Sequence, residues 1–124
     1  LPASWLTLPH DERFDVITSA PPPAALPQSV ASLTVEFYAR AAARLTPTGV
    51  FCQRISAVDF GPRPLLTAAT SLAAAFPASL CLEVSAGEYL LLGAHDPAAL
   101  VPADLPRRLE LPHVAEILSR CGWD

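Results

Sequence analysis

Apolar and polar positions along the chain fall into blocks of different period, with prolines between them. Phe14-Asp15-Val16-Ile17-Thr18-Ser19 reads as a short strand expected to be mostly buried. Pro21-Pro22-Pro23 stops it with a rigid loop, because proline lacks an N–H and holds φ fixed. Over residues 32–45, Leu33, Phe37, Tyr38, Ala41, Ala42 and Leu45 keep the spacing of one helical face, while Glu36, Arg40 and Arg44 fall largely on the other. Ser29 and Ser32 are the expected caps. Thr46-Pro47-Thr48-Gly49 is expected to close this helix, with Gly49 at positive φ.

Val50-Phe51-Cys52-Gln53-Arg54-Ile55 reads as a second strand. After Asp59-Phe60-Gly61, Pro62 and Pro64 open a second helix, whose expected buried face is Leu65, Leu66, Ala69, Leu72, Ala73 and Phe76. Leu80-Cys81-Leu82-Glu83-Val84 and Tyr89-Leu90-Leu91-Leu92 are two strand-like runs. Ser85-Ala86-Gly87-Glu88 joins them as an antiparallel hairpin with Gly87 in the turn. Strand, helix, strand, helix, hairpin predicts an α/β fold with parallel crossovers and a last strand antiparallel to the rest, which is half of a doubly wound sheet. Residues 1–96 form this unit. Residues 97–124 form a tail interrupted by Pro102, Pro106 and Pro112, with a short helix around 114–120 presenting Leu111, Val114, Ile117 and Leu118.

Composition narrows the classes of function. At 124 residues and 52% hydrophobic the chain has one core to bury and too few charges for a disordered tail. Its net charge of −4 comes from eight arginines, no lysine and twelve acids, with no basic block longer than Arg107-Arg108, so binding nucleic acid through a positive face is excluded. Methionine is absent and the first residues, Leu1-Pro2-Ala3-Ser4-Trp5, lack a signal-like pattern, so the chain is expected to be cut from a longer one. No run approaches the length of a membrane span.

Cys52, Cys81 and Cys121 sit beside apolar residues without metal or redox spacing, and read as buried, reduced thiols of a cytoplasmic protein. His10, His95 and His113 are far apart with no carboxylate at metal spacing, so no metal site is expected. Ser19 and Ser32 lack the Gly-x-Ser-x-Gly setting of an esterase nucleophile. Asp15 is expected to face solvent or cap a helix, and Tyr38 to be a core aromatic.

Taken in order, Phe14-Asp15-Val16-Ile17-Thr18-Ser19-Ala20-Pro21-Pro22-Pro23, Ala31-Ser32-Leu33-Thr34-Val35-Glu36-Phe37-Tyr38, Leu45-Thr46-Pro47-Thr48-Gly49-Val50-Phe51-Cys52-Gln53 and the Phe76-Pro77 helix end resemble a spermidine synthase. The closer resemblance is to bacterial spermidine synthase-like proteins, whose aminopropyltransferase domain often follows a membrane-spanning region. It covers residues 14–94, about two-thirds of the chain. Each piece alone also occurs across methyltransferase-like folds.

The resemblance implies the fourth strand of an S-adenosylmethionine-type Rossmann sheet at Phe14, the fifth at Val50, and the sixth and seventh in the hairpin. It implies decarboxylated S-adenosylmethionine or S-adenosylmethionine as the parent family's cofactor, and Ser19, Ala20 and Gln53 as the positions nearest substrate. Two departures matter. The family's Gly-x-Gly loop is missing, since Gly49, Gly61, Gly87, Gly93 and Gly122 are scattered. The family's catalytic Asp, which deprotonates the attacking amine, aligns with Ala20, and its second acidic position with Pro23 or a neighbour.

Gln53 aligns with a glutamine the family keeps near substrate, although an edge-solvated glutamine is equally consistent with the pattern. The expected function is therefore that of an aminopropyltransferase-like unit inactive by itself, joined to a missing N-terminal half or to copies of itself. A methyltransferase-like domain for another acceptor and a non-catalytic oligomerisation module remain as alternatives.

Overall fold

The structure, a computed structural model, describes residues 11–21, 31–57 and 62–122. Ser29, Pro22 and Pro23, residues 58–61, His10 and the first residues lie outside these. The elements run β1 (Phe14–Ser19), a 3-10 turn (Ala31–Leu33), α1 (Val35–Ala43), β2 (Leu45–Ser56), α2 (Pro62–Ala75), β3 (Ala78–Ser85), β4 (Glu88–Ala94), α3 (Pro97–Leu100), α4 (Leu105–Leu109) and α5 (Pro112–Arg120). Together they make an α/β fold around a four-stranded mixed sheet of order β1-β2-β4-β3. β1 and β2 are parallel, and β4 runs antiparallel to both of its neighbours, β2 and β3.

The alternation of side chains decides which face is the core. Ile17, Phe51, Ile55 and Leu91 point to one side and are buried there with Phe37, Tyr38, Ala41 and Ala42 of α1, Ala68 and Leu72 of α2, and Phe76 just beyond it. The Phe51 ring anchors this packing: Tyr38 and Phe37 meet it edge-on at 5.7 and 6.2 Å, and Phe76 stacks on it at 5.6 Å. Both long helices therefore lie on the same side of the sheet.

The opposite side is mostly apolar too, with Thr18 and Arg54 as its polar positions. Val16, Val50, Cys52, Leu90, Leu92, Leu80 and Leu82 share it by register, and only Ala78 and Ala94, at the end where α3 packs, are buried. Val16 is 63% exposed and Leu82 44%.

Several expectations change. Helix α1 ends at Ala43, and the chain enters β2 at Leu45, so Thr46-Pro47-Thr48-Gly49 lies within the strand instead of in a loop. The pairing jumps from Phe14↔Leu45 to Val16↔Val50, a bulge that accommodates Pro47 without breaking a regular ladder. Gly49 does not adopt positive φ; it is needed because β1 passes close by, where an added Cβ would lie 2.9 Å from the Phe14 carbonyl oxygen and 3.1 Å from that of Asp15. Gly87 does take positive φ, 76°, in the hairpin turn.

The cap of α1 is Thr34, whose hydroxyl accepts from the Phe37 N–H at 3.2 Å, while Ser32 lies in the preceding 3-10 turn. In α2 the buried stripe is Ala68 and Leu72, flanked by Leu65 and Ala69. Leu66, two residues from Ala68 and so about 200° around the helix, is 68% exposed, and Ala73 is exposed as well.

Arg44 leaves the helix surface to be buried beyond the C-terminus of α1. Its Nε donates to the Glu12 carbonyl at 2.9 Å, and its guanidinium lies 5.4 Å from the Phe14 ring centre. In the tail, Pro97, Pro106 and Pro112 begin helices, in first turns where a missing N–H is harmless. None of α3, α4 or α5 contains a buried residue. Among the described residues no helix is long and apolar enough to cross a membrane.

Candidate functional site

The carboxyl ends of the parallel strands bring two of the three candidate positions together. Ser19 closes β1 and is in register with Gln53 on β2. By the two-residue period of β2, Gln53 occupies an inward slot between Phe51 and Ile55, and it is fully buried, so it is not an edge-solvated residue.

A primary amide in such a slot has to find partners for its donors and acceptor. Gln53 Nε2 donates to Ser19 Oγ at 3.1 Å and to the Ser32 carbonyl oxygen at 3.0 Å. Its Oε1 accepts from the Tyr38 hydroxyl at 2.5 Å. One side chain thus ties β1, β2, the 3-10 turn and α1 at a single point. Tyr38 is fully buried, as a core aromatic should be, and burial holds its phenol well above the ordinary range.

Ala20 follows β1 directly and is exposed, with Pro21 half-buried after it. Its methyl can neither accept the proton of an ammonium nor orient an amine. Asp15, at the start of the same strand, is about 16 Å away along an extended chain, too far to take that role. Its carboxylate is exposed and accepts from the Thr46 hydroxyl at 2.8 Å.

Among the described residues, Gln53 offers no free donor to an adenosyl ligand. Such a ligand needs accessible donors and a carboxylate for the ribose hydroxyls, whereas Gln53 spends both its N–H groups within the protein and is closed to solvent. An apolar hollow of about 170 Å³ against β1, lined by Phe14, Val16, Ile17 and Thr18, lacks charged side chains among these lining residues.

The other reactive groups remain dispersed. Cys52 is half-buried, and burial raises its thiol pKa. Cys81 and Cys121 are exposed, contrary to the expectation of buried thiols. Cys81 shares the inward register with Leu91 but sits on edge strand β3, most of which α2 does not cover. Its thiol is raised by what burial it has and by the nearby charge of Glu83.

His95 is exposed, with Nε2 2.9 Å from the Ala42 carbonyl oxygen, and His113 is exposed on α5. Among the described residues no group of His, Cys, Asp and Glu could hold a metal ion. At the hairpin end, Glu88 is held below the ordinary carboxylate range first by the Ser56 hydroxyl and then by Arg54, whose Nε lies 2.9 Å from Glu88 Oε2.

The partnership of Tyr38 with Gln53 is the feature that the sequence reading misses, although its signal is present. A glutamine inside the alternation Phe51, Gln53, Ile55 has to be buried, and Tyr38 is the hydroxyl-bearing residue on the facing helical stripe. Compared with models of known protein families and with curated protein sequences, the chain matches none.

Proposed function

We propose that this chain is the late-strand half of a spermidine synthase-like domain of the methyltransferase-type Rossmann class, which by itself neither holds an adenosyl cofactor nor transfers an aminopropyl group. The observation that carries this reading is the one-sided sheet. β1-α1-β2 is a parallel crossover unit, and α1 and α2 cover the Phe51 face, while the Val50 and Leu90 face, apolar except for Thr18 and Arg54, lacks comparable cover among the described residues. Doubly wound sheets carry helices on both faces and have apolar strands for that reason. A sheet with the strand chemistry of two covered faces and the long helices of one fits a domain completed by another segment. The order β1-β2-β4-β3, with β4 reversed, agrees with β1 to β4 as the fourth to seventh strands of that class.

In this reading the parent reaction is alkyl transfer to an amine, and Ala20 removes the carboxylate that would take the amine's proton. Isothermal titration calorimetry of the chain with methylthioadenosine and with decarboxylated S-adenosylmethionine tests it directly. No binding heat is expected from either compound. Micromolar affinity for either one would overturn the proposal.

A second reading, a non-catalytic association module, is favoured by the exposure of Val16 and Leu82 on the same open face. It differs in predicting that two copies cover each other, so the chain is a homo-oligomer in solution.

A further inference from the structure

We draw no further inference here: the strongest candidate beyond the open sheet face, the apolar row of Leu105, Leu109, Leu111 and Ile117 exposed along the tail helices α4 and α5, carries nothing because nothing in the structure shows what covers it.

Discussion

Gln53 and Tyr38 share one buried hydrogen bond that neither can replace from elsewhere in the core. Replacing Gln53 by leucine keeps the volume but strands the buried Tyr38 hydroxyl and takes the Gln53 donors from Ser19 Oγ and the Ser32 carbonyl, and the stranded hydroxyl alone costs about 1–3 kcal/mol. Tyr38→Phe strands the Gln53 oxygen for a similar reason. The double variant removes both polar groups at once and is expected to be more stable than the sum of the single losses predicts, by a coupling of about 0.5–3 kcal/mol. Urea unfolding of the four proteins measures this, and strict additivity would show that the two side chains do not act as a pair.

The phenol also makes stability depend on alkaline pH. In the unfolded chain Tyr38 ionises near pH 10, while in the folded chain burial holds it protonated well beyond that. The folded state then keeps a proton that the unfolded state has lost, so the stability Tyr38 confers is complete below about pH 10 and drains away as pH rises further. The wild-type advantage over Tyr38→Phe is expected to shrink between pH 9 and pH 11. An advantage that stays constant over this range would contradict the assignment.

Elements were legible where period and punctuation agreed, and obscure where tertiary contacts moved a boundary. The strands at Phe14 and Val50, the α2 helix and the Gly87 hairpin follow from spacing alone. The early start of β2 does not, because Leu45 continues the helical stripe of α1 and only its pairing with Phe14 of β1 recruits it into the sheet. Leu66 misleads in the same way: its hydrophobicity suggests a wide stripe, but the buried side of α2 runs through Ala68 and Leu72, with Leu65 and Ala69 beside them. For the site, the positions of Ser19 and Gln53 could be read from their strands, whereas their hydrogen bonds to one another and to the 3-10 turn required the fold.

The bulge at the start of β2 yields its own test. An alanine at Gly49 would press its methyl on backbone oxygens of Phe14 and Asp15 and on the Thr46 hydroxyl, 3.0 Å away. Phe14 is held there by its N–H bond to the Arg44 carbonyl at 2.8 Å, so β1 cannot yield freely. Gly49→Ala is expected to cost about 1–3 kcal/mol and to speed amide hydrogen exchange along β1 more than along β4. Unchanged exchange in β1 would mean that the strand junction tolerates the extra carbon.

For the molecule as a whole, the face left without comparable cover among the described residues sets the behaviour in solution. Four strands spaced about 4.8 Å apart, each with about four residues at 3.3 Å, make a face of roughly 250 Å² in plan. A partly apolar patch of that order lies within what a monomeric surface ordinarily carries, so the expected behaviour is dye binding or weak association instead of precipitation. The one-sided sheet therefore predicts that an apolar dye such as anilinonaphthalene sulfonate binds the folded chain, or that light scattering gives a mass above the 13.1 kDa of one copy. Val16→Lys combined with Leu82→Lys should abolish whichever is seen. It should lower the unfolding midpoint only modestly, because Val16 stands mostly in solvent and Leu82, on edge strand β3, is 44% exposed. The two proposed readings part at this point: an association module loses its oligomer in the double variant, whereas a half domain that lacks its other half and has not paired with a copy binds dye as a monomer. A wild-type chain that is monomeric at micromolar concentration and binds no dye would remove the argument for both, since its second face would then need no cover.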